Sequence, residues 1–149
     1  MASTDVGVTI ARPVEDVFTV LTDPTLSPKW AANALSGELL TDGPPRVGSR
    51  RRVVVKGMFG GTMESVMEVT ELEPNRAVAL KLISASWGGT GRTRYTFTPV
   101  GEGTRIDWRW EMEPGGWMRP FAGPFMSLFG RAFQKDLDNL KAMMESGRL

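Results

Sequence analysis

Residues 104–113 constrain this chain more than any other stretch. Ile106, Trp108, Trp110 and Met112 alternate with Arg105, Asp107, Arg109, Glu111 and Glu113. Successive side chains of a β-strand point to opposite faces, so this strand has one apolar face and one charged face. A second pattern follows it. Phe121, Phe125, Phe129, Phe133, Leu137, Leu140 and Met144 recur at helical spacing, with Arg131, Lys135, Asp138, Lys141 and Glu145 marking the solvent side. A one-faced strand followed by a long amphipathic helix predicts a curved sheet wrapped around that helix. The helix is expected from near Met118–Pro120 to about Ser146, with Gly123-Pro124 breaking or kinking its first turns. About 25 helical residues span roughly 37 Å, and strands of about nine residues span roughly 30 Å. The helix therefore matches the sheet in length and can lie along its concave face.

The rest of the chain supplies the other strands. Val6, Val8 and Ile10 alternate with polar residues or glycine and read as a first strand. Pro13, Glu15 and Asp16 then suit a helix start, and Val14, Val17, Phe18 and Leu21 give a short amphipathic helix to about Thr22. Asp23-Pro24 opens a second short helix that Pro28 compromises, and Trp30 is expected on a loop. Leu35–Leu40, Ser49–Gly57, Thr62–Leu72, Arg76–Ser84 and Arg92–Pro99 follow as strands with short glycine-rich or proline-rich links. With residues 104–113 these make about seven strands in an antiparallel meander. No repeat or long linker interrupts them, so one domain over 1–149 is expected.

Composition narrows the chemistry. The 149 residues contain no cysteine and no histidine. A disulfide framework, a thiolate nucleophile, the usual neutral-pH general base and the commonest metal ligand are therefore all missing. A formal net charge of +1 gives no global field for nucleic acid. The carboxylates Asp107, Glu111 and Glu113 lie opposite the tryptophans, where Arg105 and Arg109 intervene and Glu64, Glu68, Lys81, Arg92 and Arg94 are the cross-strand partners of this charged row. That is a solvated sheet surface, and no metal site is expected. The glycines at 57–61 and 88–91 do not open a helix, so they do not form a phosphate loop. No apolar run approaches the roughly 20 residues that cross a bilayer, and Met1-Ala-Ser-Thr-Asp5 does not read as a secretory signal. A soluble cytoplasmic protein without cofactor is the expectation.

Several local motifs carry a resemblance. They are Ile10-Ala-Arg-Pro-Val-Glu-Asp-Val-Phe18, Leu21-Thr-Asp-Pro24 leading to Trp30, Val47-Gly-Ser-Arg50, Val69-Thr-Glu-Leu-Glu-Pro74 and Tyr95-Thr-Phe-Thr-Pro-Val-Gly-Glu-Gly-Thr-Arg-Ile106. In this order and spacing, over nearly the whole chain, the sequence resembles the START/Bet v 1-like superfamily. Within it, the chain is most similar to the bacterial polyketide cyclase/dehydrase and lipid-transport group, the SRPBCC proteins. The resemblance implies an α+β helix-grip fold: a seven-stranded curved antiparallel sheet around a long C-terminal helix, with two short helices after the first strand. It also implies a large apolar cavity between sheet and helix. It carries over no invariant catalytic residue.

Trp30, Met63, Met67, Leu80, Leu82, Tyr95, Phe97, Trp108, Trp110, Phe125 and Phe129 are the candidate cavity lining, and plain core is the alternative for each. Tyr95, the only tyrosine, either donates to a ligand or bonds to backbone. Arg51 shares the parity of Val53 and Val55, so it either points inward to a carboxylate or carbonyl or ends an exposed Arg50-Arg-Arg52 run. Ser65 lies on the face of Met63 and Met67, with no base to activate it. These three are the weak catalytic candidates. Met58, Phe59 and Trp87 sit at two hairpin tips, where they gate the cavity, contact a membrane or partner, or pack on a neighbouring loop. The reading is a non-catalytic binder of a small hydrophobic molecule such as a lipid, polyketide or isoprenoid. A polyketide cyclase, aromatase or dehydratase in the same cavity is the alternative, and a co-chaperone-like interaction module is the third. The sequence leaves the oligomeric state open.

Overall fold

Strand β7 (Gly103–Glu113) holds the alternation that dominates the sequence, and it sits between β1 (Ala2–Ile10) and β6 (Thr90–Val100). The remaining elements follow in chain order. They are α1 (Val14–Thr22), a 3-10 turn at Pro24–Leu26, α2 (Ser27–Trp30), β2 (Ala34–Leu39), β3 (Arg50–Lys56), β4 (Thr62–Glu73) and β5 (Ala77–Ala85). After β7 come a 3-10 segment at Gly116–Phe121 and α3 (Ala122–Glu145). This computed structural model describes residues 2–57, 60–86, 88–113 and 116–149, with residues 117 and 118 described in backbone only. The tips Met58, Phe59 and Trp87 lie outside the described residues.

The seven strands form one antiparallel sheet in the order β1-β7-β6-β5-β4-β3-β2. The sheet curves around α3, and two short helices follow the first strand, as the sequence predicts. Two bulges adjust its parity. Thr70 is unpaired between Val69↔Leu80 and Glu71↔Ala79, so Val69 and Leu72 both contribute to the core although three residues apart. Ile83 is passed over between Val66↔Ser84 and Met67↔Leu82.

Three expectations need correction. The first strand begins at Ala2, not Val6. Its first residues carry no apolar alternation; their pairing is set by β7, with Asp5 opposite Arg109 and ion-paired to it at 2.7 Å. Trp30 is not on a loop but ends α2 and is buried. Pro28 occupies the first turn of that helix, where a missing N–H costs nothing. The long helix begins at Ala122 rather than near Met118–Pro120. Gly123-Pro124 does not break it, because Pro124 also falls in a first turn.

Helix α3 lies over the β1 side of the sheet. Gly130 passes so close to Thr4 that a Cβ there would stand 2.7 Å from its Oγ1. Polar side chains of α3 then bond to β1 and the turn after it. Gln134 Nε2 donates to the Gly7 carbonyl at 2.9 Å, and its Oε1 accepts from the Gly7 N–H at 3.3 Å. Lys141 Nζ donates to the Thr9 carbonyl at 2.7 Å, and Glu145 accepts from the Ala11 N–H at 2.8 Å. The first strand of the sheet is thus satisfied by side chains on the side away from β7, which leaves no open template for aberrant pairing along these residues.

Candidate functional site

The concave face has two halves. In the half below α1, Ile10, Val17, Val69, Val78, Ile106, Leu137, Leu140 and Met144 are completely shielded and form solid core. Helix α1 closes that end through Phe18, whose ring meets Phe97 edge-on at 5.0 Å. In the other half the inward row of β3 (Val53, Val55), β4 (Met63, Ser65, Met67) and β5 (Leu82) is only half-buried. Trp110, Phe125 and Phe129 across from it are half-buried as well. An apolar surface reached by solvent on the inner side of the sheet is the candidate ligand site.

One aromatic series joins the two halves. Phe125, Phe129 and Phe133 recur every four residues along α3, with neighbouring centroids 6.4 and 6.1 Å apart. Phe133 stacks on Trp108 at 4.3 Å, and Trp108 stacks on Tyr95 at 5.0 Å. The Trp108 indole N–H donates to Thr93 Oγ1 at 2.7 Å, and Thr93 in turn donates to the Arg109 carbonyl. Trp108 is therefore packed on both faces and satisfied at its nitrogen. Trp110, two residues on, makes one aromatic contact among the described residues, with the edge of Phe133 at 6.3 Å. Of the remaining candidate lining residues, Leu80, Phe97 and Trp30 are buried. Phe133, named only as part of the helical row, and Thr93 join this series from outside the candidate lining. The four-residue spacing along α3 and the shared parity of Thr93 with Tyr95 were the available signals.

The polar groups of this face are few. Arg51 is 8% exposed, not the exposed strand end that its flanking arginines suggest. Arg51 pairs with Met67 in register and shares its inward face, whereas Arg50 and Arg52 lie on the outer one. Its Nη1 donates to the Thr22 carbonyl at the end of α1 at 3.1 Å. Burial pulls its pKa down, against the opposing influence of Tyr95 and Asp23. Burial likewise holds the Tyr95 phenol well above its ordinary value, with Arg51 and the Thr93 hydroxyl pulling the other way and Asp136 adding slightly. Tyr95 thus stays protonated across the physiological range and is a hydrogen-bond donor rather than a base. Asp136, on α3, accepts from the Ala32 N–H at 3.0 Å, and burial raises its carboxyl. Ser65 is half-buried opposite Val53.

The outer face is a lattice of ion pairs. Glu68 meets Arg50 and Lys81, Glu71 meets Arg94, and Glu111 meets both Arg92 and Arg109, at 2.8–3.3 Å. Two surface clefts, about 360 and 250 Å³, lie among these charges; of the candidate apolar lining, the first touches Trp108 and the second Leu80. Among the described residues no group of three acidic side chains is placed to hold a metal ion.

The family model described as polyketide cyclase / dehydrase and lipid transport matches residues 1–145. The chain belongs to this family. Solved structures repeat its fold. A Deinococcus radiodurans protein is 22% identical with a TM-score of 0.72, covering 99% of each chain. A Chromobacterium violaceum protein is 18% identical with a TM-score of 0.76, covering 97% of this chain and 99% of its own. A START superfamily protein from Mycobacterium smegmatis is 19% identical with a TM-score of 0.69, covering 93% and 98%. No curated protein matches the chain. Membership in the polyketide cyclase / dehydrase and lipid transport family, with the helix-grip fold, supports a cavity of the general kind that takes hydrophobic ligands. No helix among the described residues is long and apolar enough to cross a membrane.

Proposed function

We propose that this chain binds or carries a small hydrophobic molecule, of lipid, polyketide or isoprenoid type, between the open half of the sheet and the first turns of α3. The observation that carries the proposal is the half-buried apolar row of Met63, Met67, Leu82, Trp110, Phe125 and Phe129, set beside a fully shielded core. Burying about 300 Å² of apolar ligand surface there is worth roughly 7 kcal/mol before association costs. Little polar chemistry is needed. The titratable groups on this side are Arg51, Tyr95 and Asp136; the first two do not exchange protons near neutral pH, and the third is engaged with Ala32. Both ends of the chain take part in one sheet-and-helix unit, β1 with β7 and α3, which supports a single domain; we place it in the cytoplasm. The test is native mass spectrometry of the purified protein together with displacement of a neutral fluorescent naphthylamine probe. A co-purified hydrophobic molecule or saturable, displaceable probe binding is expected. Neither a ligand nor saturable binding would sink the proposal.

A second reading draws on Arg51 and Tyr95, the two donors that influence each other across the grip. They would hold carbonyl oxygens of a folded polyketide chain while it cyclises. In that case Tyr95→Phe abolishes turnover and leaves binding intact.

A further inference from the structure

Three arginines run together at the start of β3, and they do not meet the same fate. Arg50 pairs with Glu68, and Arg52 pairs with Glu38 and Glu64, all on the outer face. Arg51 points inward, is 8% exposed, and has no ion pair among the described residues. None of the residues outside the description carries a carboxylate, so none of them is its missing partner. Asp23, the nearest acid to influence it, accepts instead from the Thr25 N–H and hydroxyl through Oδ1. A guanidinium carries five N–H donors, and among the described residues one bond, to the Thr22 carbonyl, is formed.

A buried, unpaired guanidinium is costly to keep. The nearby groups do not relieve it. Tyr95 offers a neutral phenol, and Trp30, 5% exposed on the helix that bridges β2 and α3, has a buried indole N–H with no partner. Neither supplies an anion to Arg51 on a face that is otherwise apolar. Capping the end of α1 explains one of the Arg51 donors and none of the others.

We infer that the ligand of this grip is an amphipath with a carboxylate head, and that Arg51 reads the head while the apolar row takes the chain. The inference rests on the hydrophobic-ligand reading above and specifies its substrate class. A carboxylate fits better than a phosphate monoester. It matches one planar guanidinium with one charge in a bidentate pair, whereas a phosphate monoester brings nearly two charges to a single cation.

The experiment compares decanoate, decanamide and decanol by calorimetric titration of the intact protein at pH 8. Decanoate is expected to bind at least tenfold more tightly than either uncharged analogue. Arg51→Met, which keeps the length and removes the charge, is expected to bring that ratio to about one while decanol affinity stays within twofold. Arg51→Lys, a point charge without the fork, is expected to keep part of the preference. Equal affinity of the unaltered protein for decanoate and decanol overturns the carboxylate inference and leaves the hydrophobic-ligand reading standing. So does a preference that survives in Arg51→Met. If none of the three compounds binds, the broader reading fails and this one with it. The comparison on the unaltered protein needs no variant, so a misfolded Arg51→Met does not prevent a decision.

Discussion

Trp108 and Trp110 lie two residues apart on the same face of β7, yet the structure assigns them different energetic roles. Trp108 is 8% exposed, stacked on Phe133 and Tyr95, and its N–H is bonded to Thr93. Replacing it with alanine removes most of a buried ring of about 200 Å² and two aromatic contacts, which places the cost near the top of the range for such truncations, about 5 kcal/mol. Thr93 keeps its bond to the Arg109 carbonyl, so no orphaned hydroxyl adds to that figure. Trp110 is half-buried, with one aromatic edge contact among the described residues. Its truncation is expected to cost about 2 kcal/mol. The measurement is urea unfolding followed by far-ultraviolet circular dichroism, since both substitutions alter the tryptophan signal itself. Trp108→Ala is expected to lower the midpoint far more than Trp110→Ala at an unchanged slope. For a chain held together by about 5–15 kcal/mol, the first loss leaves a marginal fold and the second does not. Equal losses would refute the division of the concave face into a solid and an open half.

Two further outcomes follow from α3. Gln134→Ala removes both bonds to Gly7 and is expected to cost about 1–2 kcal/mol and to speed amide exchange at Gly7, read by hydrogen exchange. Asp136 has its carboxyl raised by burial, so the folded state holds that proton more tightly than the unfolded chain does. The stabilisation is complete in acid and disappears as pH rises through the raised value. Asp136→Asn keeps an acceptor for Ala32 without the charge; thermal melts are expected to show a higher Tm than the parent at pH 7 and none of that gain at pH 3.

The strands were legible because each shows a period-2 pattern and glycine-rich turns end them. The outer ion-pair lattice was legible from parity alone, since Asp107, Glu111 and Glu113 share a row with arginines. Arg51 was half legible. Its parity pointed inward, but two flanking arginines gave the segment the composition of a solvated run, and its inward side chain meets the end of α1, where it bonds to Thr22. Trp30 was obscured by Pro28, which breaks a helix in its interior and is tolerated in its first turn. The bulges at Thr70 and Ile83 left no mark in the sequence, because either residue is acceptable in an unbroken strand. Gln134 could not be singled out at all: its role depends on which carbonyl lies opposite, and Gly7 is 127 residues away.

That distance bears on how the molecule assembles. β1 is the first strand of this sheet to be synthesised, and its strand partner is β7; α3 bonds to it on the other side. Arg12, just beyond it, donates to the carbonyls of Met144 and Leu149. The first strand of the sheet therefore lacks its partners until β7 and α3 have been made. Loop closure of this length slows folding, and an exposed β-strand invites mispairing in the meantime. The sheet is thus completed at the last helix, whose side chains bond to the strand that was made first.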